Sequence, residues 1–227
     1  DGVLPILTGS VVDEDIRYEF TTFATLERSA LTAQNVRGTH FLVADGYGAG
    51  HMFTPDQQKE FDRLKPAELA QDEETVLCFR VQAVNTARVP RYAWFHAAVP
   101  SQIRNWKIDR NGFCVLHTGR ICCVSRLDGK PLLEVENAIL VEPGRAVTFE
   151  FYIPHRPISK ERAQKLAPTD FDKRREECRQ YWHAKLASGA RIHVPEPRIN
   201  EMLRAGLLHL DLVAYGREPR GPLAATI

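Results

Sequence analysis

Residues Glu74–Asn85 read ETVLCFRVQAVN. A period of two places Leu77, Phe79, Val81 and Ala83 on one face and Val76, Cys78, Arg80, Gln82 and Val84 on the other, so the stretch reads as a β-strand. The same texture extends on both sides. Arg17–Leu26 (RYEFTTFATL) is rich in aromatic and β-branched residues, and Arg91–Val99 (RYAWFHAAV) is a further strand candidate. Phe113–Leu116 and Arg120–Leu127 flank His117-Thr118-Gly119, a hairpin signal, and Asp128-Gly129 supplies the positive-φ residues of a second tight turn. Glu142-Pro143-Gly144-Arg145 is a turn before Ala146–Ile153, where Val147, Phe149, Phe151 and Ile153 alternate with Thr148, Glu150 and Tyr152. Many strands with no helices between them predict a mainly β, antiparallel sandwich or barrel over residues 1 to ~155. Gly46–Gln71 is less regular. Gln57–Leu69 suggests a short surface helix interrupted by Pro66, and the charged run Asp56–Glu74 reads as a solvated excursion.

From Ile158 the texture becomes helical. Ser159 and Thr169-Asp170 are N-cap candidates. Phe171, Cys178, Tyr181, Trp182 and Leu186 fall near one face of a helix that ends around Ser188-Gly189, with the charges of Lys173–Glu177 opposite. The final stretch is RIHVPEPRINEMLRAGLLHLDLVAYGREPRGPLAATI, Arg191–Ile227. Ile199, Met202, Leu203, Gly206, Leu207, Leu210 and Val213 recur at three- and four-residue spacing, which predicts a helix from about Pro197. Gly216 is its expected stop. The apolar LAATI ending reads as a chain continuing into a longer protein.

Composition limits the possible functions. The 227 residues are 44% hydrophobic, enough for a substantial core. Thirty basic and 29 acidic side chains give a formal charge of +1, without the basic surplus of a nucleic-acid footprint. No run approaches the ~18 apolar residues of a membrane span. Cysteines 78, 114, 122, 123 and 178 form no C-x-x-C pair, and most lie among apolar residues. They read as small buried hydrophobes in a reducing, cytoplasmic setting; export stays open, since the chain begins at Asp1.

The helical junction carries a recognisable arrangement. Tyr181-Trp182 on a helix is followed by Gly189-Ala190-Arg191-Ile192, then Val194-Pro195-Glu196-Pro197 and Arg198-Ile199-Asn200. This order, behind a β domain, resembles the junction of six-hairpin glycosidases. In those enzymes a galactose-mutarotase-like β-supersandwich precedes an (α/α)6 catalytic barrel. The resemblance implies a supersandwich over 1–157, a helical linker over 158–195, and the start of a truncated catalytic barrel over 196–227. It also implies that the catalytic carboxylates lie on the barrel beyond Ile227, so no catalytic residue is assigned here. The implied partners are carbohydrate and the helical catalytic domain. Tyr181, Trp182, His155, Met202, Leu207 and Leu210 are the candidates for packing between domains. Left without barrel neighbours, the stripe of Met202, Leu203, Leu207 and Leu210 would favour self-association.

Sugar contact needs exposed aromatic rings. Trp106, in the polar setting of Asn105 and Lys107, and Trp94 are the leading candidates, with Tyr92 and Phe113 behind them. Arg104, Asn105 and Lys107 offer hydroxyl partners. His96, in Trp94-Phe95-His96, and Glu218, in a Gly-Arg-Glu-Pro loop, complete the candidate contacts. A mutarotase-like epimerase would require His96 or His117 to converge with Glu134 or Glu136. The eight histidines show no H-x-H or H-E-x-x-H spacing, and Gly46–Gly50 lacks the Lys-Ser/Thr of a phosphate loop. No metal or cofactor is expected.

Overall fold

The computed structural model describes residues 2–32, 35, 53–69, 73–101, 105–189, 191–212, 214–215 and 224–225. The chain is mainly β and antiparallel, and it divides into two compact units. One comprises Pro5–Leu31 and Glu74–Gln180, the other Gly2–Leu4, Thr32–Glu73 and Tyr181–Ile227.

The first unit holds strands β1 (Leu7–Asp13), β2 (Ile16–Leu26), β3 (Thr75–Asn85), β4 (Arg91–His96), β5 (Trp106–Ile108), β6 (Phe113–Leu116), β7 (Ile121–Leu127), β8 (Lys130–Pro131), β9 (Glu136–Val141) and β10 (Ala146–Pro154). Eight of them form one sheet in the order β1-β2-β3-β10-β7-β6-β5, with β8 paired to β7. The other two, β4 and β9, pair with each other.

The alternation read from Glu74–Asn85 changes sides along β3. Val76 and Cys78 are buried at its start, whereas Val81, Ala83 and Asn85 are buried at its end. Residues of opposite parity point to opposite faces, so the sheet is covered on one face at one end and on the other face at the other. Its neighbours follow the same switch. Phe23 and Thr25 of β2 are buried beside Cys78 and Val76, and Phe149 and Val147 of β10 beside Val81 and Ala83.

The face of Val81 and Ala83 is covered by the β4–β9 pair. Phe95 of β4 stacks on Phe149 with ring centroids 4.6 Å apart and on Phe151 at 5.7 Å. Ile16, Ala93, Ala97, Leu132 and Val141 complete this core. Burying each of these phenylalanines contributes about 1.5–3 kcal/mol.

The opposite face is covered by helices α2 (Lys160–Leu166) and the first part of α3 (Phe171–Ser188), numbered after α1 (Pro55–Leu69). Ser159 caps α2 by accepting from Arg162 N–H. Phe171, 1% exposed, meets Phe23 edge-on at 5.1 Å. Charge secures the same face. Glu150 bridges Arg80 and Arg126. Arg80 also pairs with Asp172 at 2.9 Å and lies 3.9 Å over the Phe171 ring. Arg126 donates to the Ala167 and Thr169 carbonyls at the end of α2, satisfying acceptors the helix leaves free. Glu27 pairs with Arg162, and Glu74 with Arg156.

The turns follow their residues. Asp128 and Gly129 both have positive φ between β7 and β8, and Gly144 has φ 68 in the turn entering β10. Gly112, before β6, has φ 73, and a Cβ there would lie 2.4 Å from the Ser125 carbonyl oxygen.

In the second unit α1 runs through Pro66 instead of stopping at it. Thr54 and Gln57 form a reciprocal capping box, with Gln57 N–H donating to Thr54 Oγ1 (3.3 Å) and Thr54 N–H to Gln57 Oε1 (2.9 Å). The charged run expected to be a loop is therefore helical over Pro55–Leu69. Helix α4 spans Pro197–Leu212, with proline at its first position. Asn200 clamps the segment before it, accepting from Val194 N–H at 2.9 Å and donating to Val194 O at 2.7 Å. Two short strands, β11 (Ala214–Tyr215) and β12 (Ala224–Ala225), pair with each other. No helix among the described residues is long and apolar enough to cross a membrane.

Candidate functional site

The two strands that cover the Phe149 core present a second face to solvent. Ala93 and Val141 point inward and are buried. The alternate residues of β4, Tyr92, Trp94 and His96, therefore point outward. Their direct partners on β9 are Leu140, Ala138 and Glu136. Three cross-strand pairs thus form one ladder: Tyr92 with Leu140, Trp94 with Ala138, and His96 with Glu136. Trp94 is 65% exposed and Tyr92 54%. Their rings lie 6.4 Å apart at 48°. The small Ala138 opposite Trp94 leaves the indole face open.

Trp94 is fixed from below. The Tyr18 hydroxyl on β2 donates to Trp94 O at 3.0 Å and accepts from Trp94 N–H at 2.9 Å. Burial pushes the Tyr18 phenol above its ordinary value, so it stays a neutral donor and acceptor at physiological pH. One side chain of the large sheet thereby sets the height of the aromatic strand. His96 has its Nδ1 in contact with Ala97 O at 2.9 Å. This leaves Nε2 and the exposed Glu136 carboxylate at one end of the ladder. The surface thus combines flat apolar rings with an imidazole and a carboxylate, the donors and acceptors that hydroxyl groups require.

The other candidates fall elsewhere. Trp106 lies on the edge strand β5, half-buried against the core, on a different sheet from Trp94. Asn105 is exposed beside it, its carbonyl accepting from His117 N–H. Phe113 is 1% exposed. It is a core residue, which corrects its reading as a surface ring: β6 lies between β5 and β7 in the large sheet, and Phe113 pairs with the buried Val124. Glu134 precedes β9 and does not share the ladder. His117 is exposed in the β6–β7 turn, and His155 is exposed after β10 with its N–H donating to Thr75 O. Arg104 and Glu218 lie outside the described residues, as does Gly46–Gly50.

Of the junction residues, Tyr181 is buried and Trp182 half-buried, their rings 5.0 Å apart. Met202 and Leu210 are 64% and 63% exposed. Leu203 and Leu207 instead line a groove of about 350 Å³ with Leu186, Ile192, Arg191 and Arg204. A shallow polar trough of about 370 Å³ also lies on the open face of β1–β3, lined by Thr8, Ser10, Glu19, Thr21, Arg80 and Gln82. Among the described residues no group of three or more His, Cys, Asp or Glu side chains is placed to hold a metal ion.

The sequence contains Tyr92, Trp94 and His96 at alternate positions, so their common face was open to reading. Their pairing with β9 depends on a register between strands distant in sequence, and the Tyr18 support on a contact between residues 76 positions apart. Comparison with known protein families, curated proteins and solved structures gives no match for this chain.

Proposed function

We propose that this chain is a non-catalytic β-sandwich module of a carbohydrate-active protein, and that it meets saccharide on the outward face of β4–β9. The observation that carries this reading is the exposed Tyr92–Trp94 pair beside His96 and Glu136. Pyranose rings have flat C–H faces that pack against aromatic rings, and hydroxyl edges that need hydrogen-bonding groups at the rim. The ladder offers both within one row. The sandwich reading is supported by the packing of β4–β9 on the large sheet through Phe95, Phe149 and Phe151.

The resemblance of the Tyr181–Asn200 segment to six-hairpin glycosidases suggests the wider setting. In it the module is a supersandwich that supports a helical catalytic barrel, and α4 is the first helix of that barrel. The exposed Met202 and Leu210 favour a further apolar neighbour for α4.

The test is a titration with neutral and acidic oligosaccharides followed by tryptophan fluorescence. The expected result is saturable quenching that Trp94→Ala weakens at least ~10-fold, the equivalent of about 1.4 kcal/mol of lost stacking. Trp106→Phe should leave the affinity unchanged. Absence of a saturable change across the panel refutes the proposal.

A further inference from the structure

The groove bordered by the end of α3, by α4 and by the chain between them has no part in the saccharide reading. His183 and Leu186 stand three residues apart on one face of α3. Leu203 and Leu207 share one face of α4, with Arg204 beside them. Arg191 and Ile192 close the side between the helices. The course of that segment is fixed by Asn200, whose side chain accepts from Val194 N–H at 2.9 Å and donates to Val194 O at 2.7 Å. The floor is therefore aliphatic: Leu186, Ile192, Leu203 and Leu207. The rim carries two guanidinium groups, Arg191 and Arg204, with the His183 imidazole near them. Among the described residues no Asp or Glu lines the groove, and no ion pair engages either arginine. The bias is local, since the whole chain sets 29 acidic side chains against 30 basic ones. Glu201 stays clear of the groove: at about 100° per residue, its place two positions before Leu203 turns it to the far side of α4.

We propose that this groove binds a free aliphatic carboxylate of medium chain length, its tail on the four aliphatic residues and its head between Arg191 and Arg204. Three properties select that ligand. The volume of about 350 Å³ lies at the lower end of the roughly 300–1,000 Å³ of small-molecule sites, room for one short tail and too little for a docked helix. The floor supplies no hydrogen-bonding side chain, so the polar groups of a saccharide would lose water there without replacement. The rim is cationic without neighbouring acids, which favours an anion and disfavours a cation on the same tail. A carboxylate matches the guanidinium fork, accepting two parallel N–H···O bonds from one arginine. Head and tail then contribute separately: the charge sets which end lies at the rim, and each methylene removed from water tightens binding about fourfold.

The test is isothermal titration calorimetry of the 227-residue chain with octanoate, hexanoate, octanol and octyltrimethylammonium. The expected result is saturable binding of octanoate, with hexanoate at least ~5-fold weaker for its two missing methylenes and octanol at least ~10-fold weaker for its missing charge. Octyltrimethylammonium should give no saturable heat. Arg191→Gln/Arg204→Gln should weaken octanoate at least ~10-fold and leave its salt dependence flat. Ile192→Asp, at a position 57% exposed, should abolish binding by placing an anion beside the tail. These three side chains are exposed, so the variants should keep the wild-type circular-dichroism spectrum. Trp94→Ala should bind octanoate as the wild type does, which separates this groove from the saccharide face. Absence of saturable heat up to about 10 mM octanoate would overturn the proposal. So would octanol binding as tightly as octanoate, or wild-type affinity in Arg191→Gln/Arg204→Gln.

Discussion

Replacing Glu150 by alanine is expected to cost the fold about 3–5 kcal/mol. Glu150 is 6% exposed and its carboxylate sits between two guanidinium groups. Arg80 approaches Oε1 at 2.8 Å and Arg126 binds Oε2. At an effective dielectric constant of about 20, a contact of this length carries a gross attraction of roughly 6 kcal/mol, part of which offsets desolvation. Removal leaves the two cations unequal. Arg80 keeps Asp172 and its seat on Phe171. Arg126, whose side chain is 15% exposed, keeps the neutral Ala167 and Thr169 carbonyls and the Tyr152 hydroxyl. Its charge is then buried without the Glu150 anion. Urea unfolding followed by circular dichroism is the assay. With a slope of about 2.5 kcal/mol/M, the midpoint should fall by about 1–2 M. The double variant Glu150→Met/Arg126→Met removes both charges and should lie closer to wild type than Glu150→Ala alone. A midpoint shift below about 0.4 M for Glu150→Ala would refute the reasoning, because it would reduce the bridge to the ~1 kcal/mol of an exposed ion pair.

Further outcomes follow from other contacts. Gly112→Ala combines positive φ with a Cβ 2.4 Å from Ser125 O, and should destabilise by at least about 2 kcal/mol in the same unfolding assay. Tyr18→Phe removes both hydrogen bonds to Trp94, so it should cost about 1–2 kcal/mol and weaken saccharide binding without changing the aromatic surface. Burial raises the Tyr152 pKa. Its protonated form therefore contributes stability that is fully present below the ordinary tyrosine value of about 10 and is lost as pH rises toward the raised value. Tyr152→Phe should flatten the alkaline limb of a stability–pH curve. Hydrogen bonds from Arg179 and Gln180 pull Glu176 down to about 2, so its contribution is lost as pH falls below the ordinary carboxylate range. Side-chain NMR should show this low titration, and Arg179→Ala should return it toward ordinary values.

The local signals in the sequence were strong where one residue dictates backbone geometry. Asp128-Gly129, Gly119 and Gly144 mark turns because they adopt positive φ, and the structure has each of them there. Strand β10 was equally legible, since its apolar residues alternate cleanly. Strand β1 was not. Leu7, Val11 and Val12 are all exposed, so no buried face imprints a period on LTGSVVD, and the strand is defined by its register with β2. In β3 the period is visible but its meaning is not: which parity is buried depends on whether helix or strand lies above, and that changes midway. Helix α1 was obscured by Pro66, while its capping box at Thr54 and Gln57 was the stronger local signal. The candidate site shows the same divide. Trp94 is identifiable as a ring on an alternating strand, but its exposure depends on Ala93 and Val141 being the buried side of a pair that only the fold creates. Trp106 carried as strong a polar neighbourhood in sequence, yet it packs against the core.

The most direct measurement is an indole-region heteronuclear NMR titration of the 227-residue chain with a saccharide from the panel. Trp94, Trp106 and Trp182 each give one indole N–H signal, and single Trp→Phe variants assign them. The account predicts a saturable shift of the Trp94 signal, with Trp106 and Trp182 unmoved and at least ~10-fold more saccharide needed to saturate it in Tyr92→Ala. Movement of Trp106 or Trp182 in place of Trp94, or no movement of any signal, would contradict it.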